Sequence, residues 1–114
     1  ERTGGLLANE MAPRVHNSGH WTIEGAATSQ FENHLRAIVG WPLGSTALKG
    51  VAAMINLIGT IPDTRLTLEM PEAHLHLYGK APRPHRKLGH ITLTAKDADA
   101  LNARLNEIRR SLKM

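Results

Sequence analysis

The 114-residue sequence predicts an α+β fold, in which a small C-terminal domain of short antiparallel strands and two helices follows one strand of a different domain. Two segments, "AHLHLYGK" and "KLGHITLTA", alternate apolar and polar residues with the period of two that is typical of strands. Two others place apolar residues three and four positions apart, as amphipathic helices do. An apolar run near the first residue precedes a cluster of turn formers and predicts the separate strand.

The first predicted element is a strand over residues 6–11 that continues through Arg14. Pro13 steers Ala12 away from the helical region and so keeps the chain extended. The residues "HNSGH" then predict a turn, in which Gly19 supplies a positive φ. Because the run lies so close to residue 1, we expect this strand to belong to a longer protein and to have lost its partners.

The segment "SQFENHLRAIVGWP" predicts the first helix. Ser29 and Glu32 have the spacing of a capping box, and Gly40 followed by Pro42 ends the helical pattern. The predicted apolar stripe of this helix consists of Phe31, Leu35 and Ile38.

Three strands are predicted next. The run "VAAMINLIGTIPD" predicts a buried strand that closes in a turn at Pro62 and Asp63. The two alternating segments that follow predict a hairpin with a long, proline-rich loop.

The segment "DADALNARLNEIRRSLKM" predicts the second helix. Acidic residues come early and basic residues late, as the helix dipole favours. One apolar face is marked by Leu101, Leu105, Ile108 and Leu112.

The composition is that of a soluble globular protein, with 41% hydrophobic and 21% charged residues. No apolar run approaches the ~20 residues of a membrane span, so no membrane partner is expected. The absence of cysteine excludes disulfides and thiolate metal sites and favours a cytoplasmic location.

The formal charge of +4 favours anionic ligands. Nucleic acid is not the expected partner, because aromatic residues make up only 4% and the basic residues do not form the dense clusters of a basic arm. His74 and His76 share a predicted strand face but have no evident third ligand, so a metal role is disfavoured.

A first constellation lies on the opening strand. Alternation places Glu10, Arg14 and His16 on one face, with neighbours roughly 7 Å apart. A carboxylate suits Mg²⁺, and the guanidinium can bind a planar anion through two parallel hydrogen bonds. The residue types leave open a structural alternative, in which Glu10 and Arg14 form an ion pair, His16 and His20 are polar turn residues and Asn17 sets the turn.

A second constellation lies on the predicted hairpin loop "YGKAPRPHRKLGH". A basic loop is by itself typical of a solvated edge that discourages aggregation. Two prolines stiffen this loop, which would lower the entropic cost of holding a phosphate. The basic residues are Lys80, Arg83, His85, Arg86 and Lys87.

The stretch "NEMAPRVHNSGHWT" resembles the segment that closes the ATP-grasp domain in the 5-(carboxyamino)imidazole ribonucleotide synthase family of purine biosynthesis. The match continues in the family's order through "SQFENHLRAIVGWPLG", "MINLIG", "HLHLYGK" and "RPHRKLGHITL". It places the end of an ATP-grasp domain at residues 1–20 and the C-terminal domain of the synthase at residues 21–114.

The resemblance implies a carbon–nitrogen ligase that uses ATP and bicarbonate, through carboxyphosphate, to carboxylate aminoimidazole ribonucleotide. By the same resemblance Glu10 is a Mg²⁺ ligand, and Arg14 and His16 are the catalytic pair that holds bicarbonate or carboxyphosphate. Asn17 and Ser18 lie beside that pair as substrate-binding residues. Family members are usually homodimers.

For the basic loop, the resemblance implies that Lys80, Arg86 and Lys87 grip the ribonucleotide phosphate. Many ATP-grasp relatives carry an asparagine where this sequence has Ala12, which makes Glu10 more dependent on a second carboxylate from elsewhere. No glycine-rich phosphate loop occurs in these residues, so we expect the chain alone to be inactive.

Three alternatives remain open from the sequence. One is a fragment of the ATP-grasp family that formylates glycinamide ribonucleotide, although "HNSGH" departs from the HDTG-like pattern of that family. The second is a stand-alone basic module that binds anions or nucleic acid. The third is a structural dimerisation domain that covers its exposed apolar face.

Overall fold

The computed structural model describes residues 4–113, apart from the side chain of Leu66. Residues 1–3 and 114, where the two predicted domain ranges begin and end, lie outside this described part. In chain order the elements are a 3₁₀ turn (Asn17–Gly19), α1 (Thr22–Gly25), α2 (Gln30–Ile38), β1 (Val51–Ile58), α3 (Arg65–Leu68), β2 (Ala73–Leu77), β3 (Lys87–Ala95) and α4 (Ala98–Ser111). The predicted α+β class is confirmed; the short helices α1 and α3 were not predicted.

The three strands form one antiparallel sheet in the order β1-β3-β2. The predicted hairpin is confirmed, with Leu75 opposite Ile91 and His76 opposite His90. The expectation that β1 is a buried strand is wrong in part. Because β3 takes the central position, β1 lies at an edge and only Leu57 is buried along it.

Helix α4 packs on one face of the sheet, as its sequence pattern predicts. The Asp97 side chain caps the helix by accepting a hydrogen bond from the Ala100 amide at 2.9 Å. Ile108 is fully buried. The apolar core beneath the helix consists of Leu57, Ile91, Leu93, Ile108 and Leu112.

Helix α2 forms where the sequence predicts it but buries none of its residues. Ser29 Oγ accepts a hydrogen bond from the Glu32 amide at 3.1 Å, and Gly40 ends the segment with a φ of 72°. The apolar stripe is exposed in this chain: Phe31 by 37%, Leu35 by 63% and Ile38 by 67%.

The predicted first strand is not formed in this structure. Residues 5–12 have no assigned secondary structure and, within residues 4–113, no strand pairs with them. A strand needs a neighbour to bond its backbone N–H and C=O groups, so an apolar pattern alone is not enough. The side chains of Leu6, Leu7 and Met11 are consequently almost fully exposed.

The turn predicted at "HNSGH" is confirmed, but the reason given for Gly19 is wrong. Gly19 does not have a positive φ. It is buried, and a Cβ at this position would overlap the side chain of Gln30 at the start of α2. The glycine thus leaves room for the amide end of the Gln30 side chain, which a larger residue would displace. Within residues 4–113, no helix has the length and apolar character needed to cross a bilayer.

Candidate functional site

A cleft of about 510 Å³ opens where the turn at residues 17–19 meets the end of β2 and the start of β3. It brings together both constellations found in the sequence, although more than 60 residues separate them along the chain. The lining residues are Glu10, Arg14, His16, Asn17, His20, Tyr78, Lys80 and Lys87. Two predicted site residues, Ser18 and Arg86, do not line it.

His16 joins Glu10 to the turn. Its Nδ1 accepts a hydrogen bond from the Ser18 amide at 3.2 Å and lies 2.8 Å from Ser18 Oγ. Because Nδ1 is an acceptor, the ring proton lies on Nε2, which pairs with Glu10 Oε1. An extended strand would hold residues 10 and 16 roughly 20 Å apart, so the predicted shared strand face is wrong. A bend at Pro13 and Arg14 brings the two side chains together instead.

Asn17 fastens the turn to the sheet. Its Nδ2 donates to Asn56 Oδ1 on β1, and its Oδ1 accepts from Lys87 Nζ, both at 3.0 Å. The two bonds fix the orientation of the amide and hold the ammonium group of Lys87 at the cleft. Asn17 thus positions a cation as well as lining the site.

Two further cations face the cleft. Arg14 donates one hydrogen bond, from Nη1 to the Val15 carbonyl at 3.2 Å, which leaves most of its guanidinium donors available to a ligand. Lys80 Nζ lies 5.4 Å from the centre of the Tyr78 ring, within the range of a cation–π contact. Arg14, Lys80 and Lys87 together make the cleft suitable for a multiply charged anion.

Arg86 turns into its own loop. Its Nη1 donates to the Ala81 carbonyl at 3.2 Å, and its amide donates to the Arg83 carbonyl at 3.0 Å. His85 adopts a φ of 61° in the same loop. This tight conformation separates Arg86 from Lys80 and Lys87, which the sequence had grouped with it.

The sequence reasoning missed His20, Tyr78 and His90. The Tyr78 hydroxyl lies 2.6 Å from His90 Nδ1 and 3.2 Å from His20 Nδ1, so the three side chains form a continuous chain from the buried sheet to the cleft. His90 is 1% exposed. A histidine in the middle of a strand of apolar residues and threonines was the signal that could have indicated a buried polar site.

Burial and neighbouring charge keep the imidazoles of His20 and His90 neutral. Burial, with His76 and His20 nearby, lowers the pKa of His90 to about 4. Burial also lowers the pKa of His20, and the positive charge of Lys87 adds to the effect. Burial raises the pKa of the Tyr78 hydroxyl, which therefore keeps its proton.

A second polar contact, beneath α1, adjoins the hydrogen-bonded side chains of His20, Tyr78 and His90 and forms one polar layer with them. His76 Nε2 donates to Glu24 Oε1 at 2.6 Å, and the His76 ring stacks on His90 with 4.5 Å between ring centres. The half-buried carboxylate of Glu24 therefore contacts His76, and His76 stacks on His90, the buried end of the hydrogen-bonded side chains that reach the cleft.

The donor set of the cleft fits anions better than a fully protein-bound metal. Within the described residues, no group of three or more carboxylate, imidazole or thiol side chains could hold a metal ion. Mg²⁺ commonly takes only one or two protein carboxylates and completes its shell with water and substrate phosphates. Glu10 can supply one such oxygen.

A larger groove of about 600 Å³ lies along α2 and the segment after it. It is mostly apolar, and its residues include Leu35, Val39 and Trp41. No predicted site residue lines it, and its two charged residues, Glu32 and Arg36, pair with each other.

Two known protein families match the two segments of the sequence that line the cleft. A family model described as the ATP-grasp domain matches residues 1–31, and one described as the phosphoribosylaminoimidazole carboxylase C-terminal domain matches residues 52–104. The chain is 58% identical over 108 residues to the N5-carboxyaminoimidazole ribonucleotide synthase of Pseudomonas aeruginosa, covering 95% of this chain and 30% of that protein.

Solved structures of similar proteins share the fold. The N5-carboxyaminoimidazole ribonucleotide synthetase of Thermus thermophilus has 64% identity and a TM-score of 0.86, over 90% of this chain and 28% of that one. The synthase of Aspergillus clavatus in complex with ADP and 5-aminoimidazole ribonucleotide has 42% identity and a TM-score of 0.78, over 89% and 30%. The chain thus spans less than a third of the length of these relatives.

Proposed function

The chain belongs to the N5-carboxyaminoimidazole ribonucleotide synthase family, and on that basis we propose that its cleft forms part of the active site of an ATP-dependent carbon–nitrogen ligase. The reaction is carboxylation of the exocyclic amine of 5-aminoimidazole ribonucleotide, with ATP converted to ADP and phosphate. One observation supports this above all: the cleft is lined from both matched ranges, by residues 10–20 and by residues 78–87.

The three cations of the cleft divide the work of holding negative charge. Arg14 presents a planar set of donors that suits the carboxyl and phosphoryl oxygens of bicarbonate or carboxyphosphate. Lys80 and Lys87 act as point charges for the ribonucleotide phosphate. His16 orients the Glu10 carboxylate, which provides one oxygen for Mg²⁺ bound with ATP. The metal would neutralise phosphate charge during transfer.

The roles of Ser18 and Arg86 rest on weaker support. Ser18 contributes by holding His16, because its amide and hydroxyl both contact the imidazole. Arg86 reaches the ribonucleotide phosphate only if its loop opens. Bicarbonate as the carboxyl source, Mg²⁺, a homodimeric assembly and a cytoplasmic location also stay predictions for this chain.

A segment exchange tests the proposal. The corresponding segment of the Pseudomonas aeruginosa synthase is replaced by this sequence, and ADP production is measured with and without 5-aminoimidazole ribonucleotide. We expect ribonucleotide-dependent turnover by the hybrid enzyme. We expect none from the 114-residue chain alone, and ribonucleotide-dependent ATP consumption by the pure chain would contradict that part.

Single substitutions in the hybrid enzyme test the residue roles. Arg14→Ala should lower kcat/KM roughly ten- to hundredfold, because charge-assisted hydrogen bonds contribute about 1.5–3 kcal/mol. Lys80→Ala should mainly raise the KM for the ribonucleotide. Arg109→Ala, an exposed arginine on α4, is the matched control and should have little effect. Equal rates for all three variants would show that the cleft is structural.

A further inference from the structure

The side chain of His20 occupies a position in the cleft that the roles assigned above leave unexplained. It lies among groups that bind anions, since Arg14, His16 and Lys87 are near enough to disfavour a charge on its ring. An uncharged imidazole adds no net positive charge to the cleft. Its contribution must therefore be a directed hydrogen bond, and the direction depends on which ring nitrogen carries the proton.

The distances from the Tyr78 hydroxyl to His90 and His20 indicate which nitrogen of His20 carries the proton. The Tyr78 hydroxyl has a single proton, so it donates to one imidazole and accepts from the other. Its distance to His90 Nδ1 is 2.6 Å, within the range of O–H donors and shorter than N–H donors usually make. Its distance to His20 Nδ1 is 3.2 Å, which suits an N–H donor. These distances favour the order in which Tyr78 donates to His90 and accepts from His20.

The surroundings of the two rings limit their movement. His90 is buried in the sheet, and among the described residues its Nε2 has no partner, so its one hydrogen bond runs to Tyr78. His20 packs against the ring of Phe31, with 5.1 Å between the ring centres. Both rings are therefore held in place, and with the proton of His20 on Nδ1 its Nε2 is left as an acceptor.

We propose that Tyr78 and His90 are positioning residues that hold His20 with an unprotonated Nε2 available to the ligand in the cleft. That nitrogen accepts an N–H from the ligand, beside the donor groups of Arg14, Lys80 and Lys87 in the same cleft. If the proposed function is correct, on which this identification rests, the donor is the exocyclic amine of the ribonucleotide. The neutral acceptor then recognises the amine while the cations hold the anionic groups.

The proton position can be measured on the 114-residue chain itself. Long-range ¹H–¹⁵N correlation spectra distinguish protonated from unprotonated imidazole nitrogens. We expect a protonated Nδ1 and an unprotonated Nε2 for His20 at neutral pH. A protonated Nε2 would overturn the proposal, whatever the ligand is.

Substitution of Tyr78 tests the cause. Tyr78→Phe keeps the ring and removes the hydroxyl, and we expect His20 to become a mixture of the two tautomers. Glu24→Gln changes the contact between Glu24 and His76 and should leave the His20 tautomer unchanged. Amide spectra establish that each variant is folded. An unchanged His20 in the Tyr78→Phe variant would show that the hydroxyl does not position it.

Kinetics in the hybrid enzyme separate this inference from the proposed function. Tyr78→Phe should raise the KM for 5-aminoimidazole ribonucleotide roughly twofold, because an equal mixture of tautomers leaves about half of the His20 rings with an unprotonated Nε2, and should leave the KM for ATP unchanged. Equal KM values in an active hybrid would overturn the role of His20 in recognising the amine. An inactive hybrid would refute the proposed function, and the spectra would still decide how His20 is held.

Discussion

The two faces of strand β3 are buried to the same degree but carry opposite kinds of side chain. Ile91 and Leu93 point to the face covered by α4, and His90 and Thr92 point to the face that leads to the cleft. All four are at most 1% exposed. On the first face any well-packed apolar group stabilises the fold, whereas on the second each polar group needs a directed partner.

This difference separates the stability of the molecule from its chemistry. The apolar face contains no titratable group in its core cluster, so its contribution is insensitive to pH. The polar face links His90 to Tyr78 and His20 and thereby fixes one wall of the cleft. A folded chain with a damaged polar face is consequently a realistic outcome of mutation.

The largest expected effect is on the apolar face. Ile108→Ala should lower the free energy of unfolding by about 2–5 kcal/mol, because a fully buried side chain leaves a cavity in the core. Urea unfolding followed by tryptophan fluorescence measures it. Leu35→Ala on the exposed stripe of α2 is the matched control, with an expected change below about 0.5 kcal/mol. Similar losses from both variants would mean that α2 packs as tightly as α4.

Lowering the pH should reduce the contribution of the polar face to the free energy of unfolding and leave that of the apolar face unchanged. In the unfolded chain His90 has its ordinary pKa of 6.5, and in the folded chain burial lowers the pKa to about 4. Between these values the unfolded chain binds a proton that the folded chain does not, so stability falls as the pH is lowered through this window. We expect a loss of roughly 2–3 kcal/mol on going from pH 7 to pH 4.

Urea unfolding at several pH values tests the sign and the window. His20, whose pKa is also lowered, contributes in the same direction. Ile108→Ala should lower the whole stability curve without changing its slope with pH, since no titrating group is lost. Constant stability between pH 7 and pH 4 would show that His90 is charged in the folded chain.

The smallest expected effect is a gain, not a loss, in the free energy of unfolding. The hydroxyl of Thr92 is buried and has no hydrogen-bond partner among the described residues. Thr92→Val keeps the shape and removes the polar group, so the free energy of unfolding should stay unchanged or rise by up to about 1 kcal/mol. A loss of stability in the same urea experiment would indicate that the hydroxyl is bonded, for example to an ordered water.

Local sequence patterns were sufficient for the elements that depend on neighbouring residues. The caps at Ser29 and Asp97 and the glycine after α2 are short-range features, and both helices form as predicted. Period-two alternation likewise predicted the hairpin of β2 and β3. The alternation does not show that the polar residues of β3 are also buried, because that depends on which segments pack on their face.

The candidate site was predictable only in part. Residue chemistry and the family resemblance pointed to Glu10, Arg14, His16, Asn17, Lys80 and Lys87, and the structure places these side chains around one cleft. Sequence order could not show that Arg86 turns into its own loop. Nor could it show that the hydrogen bonds of Tyr78 connect two histidines 70 residues apart, since that depends on strand register.

By itself the sequence determined the α+β class, the two helices, the hairpin and the net positive charge of the molecule, because these follow from periodicity, capping and composition. Only the tertiary structure decided that residues 5–12 form no strand, that α2 leaves its stripe exposed and that β3 lies at the centre of the sheet. Each of these depends on which distant segment supplies a partner. Burial and backbone hydrogen bonding are satisfied between segments and not within them.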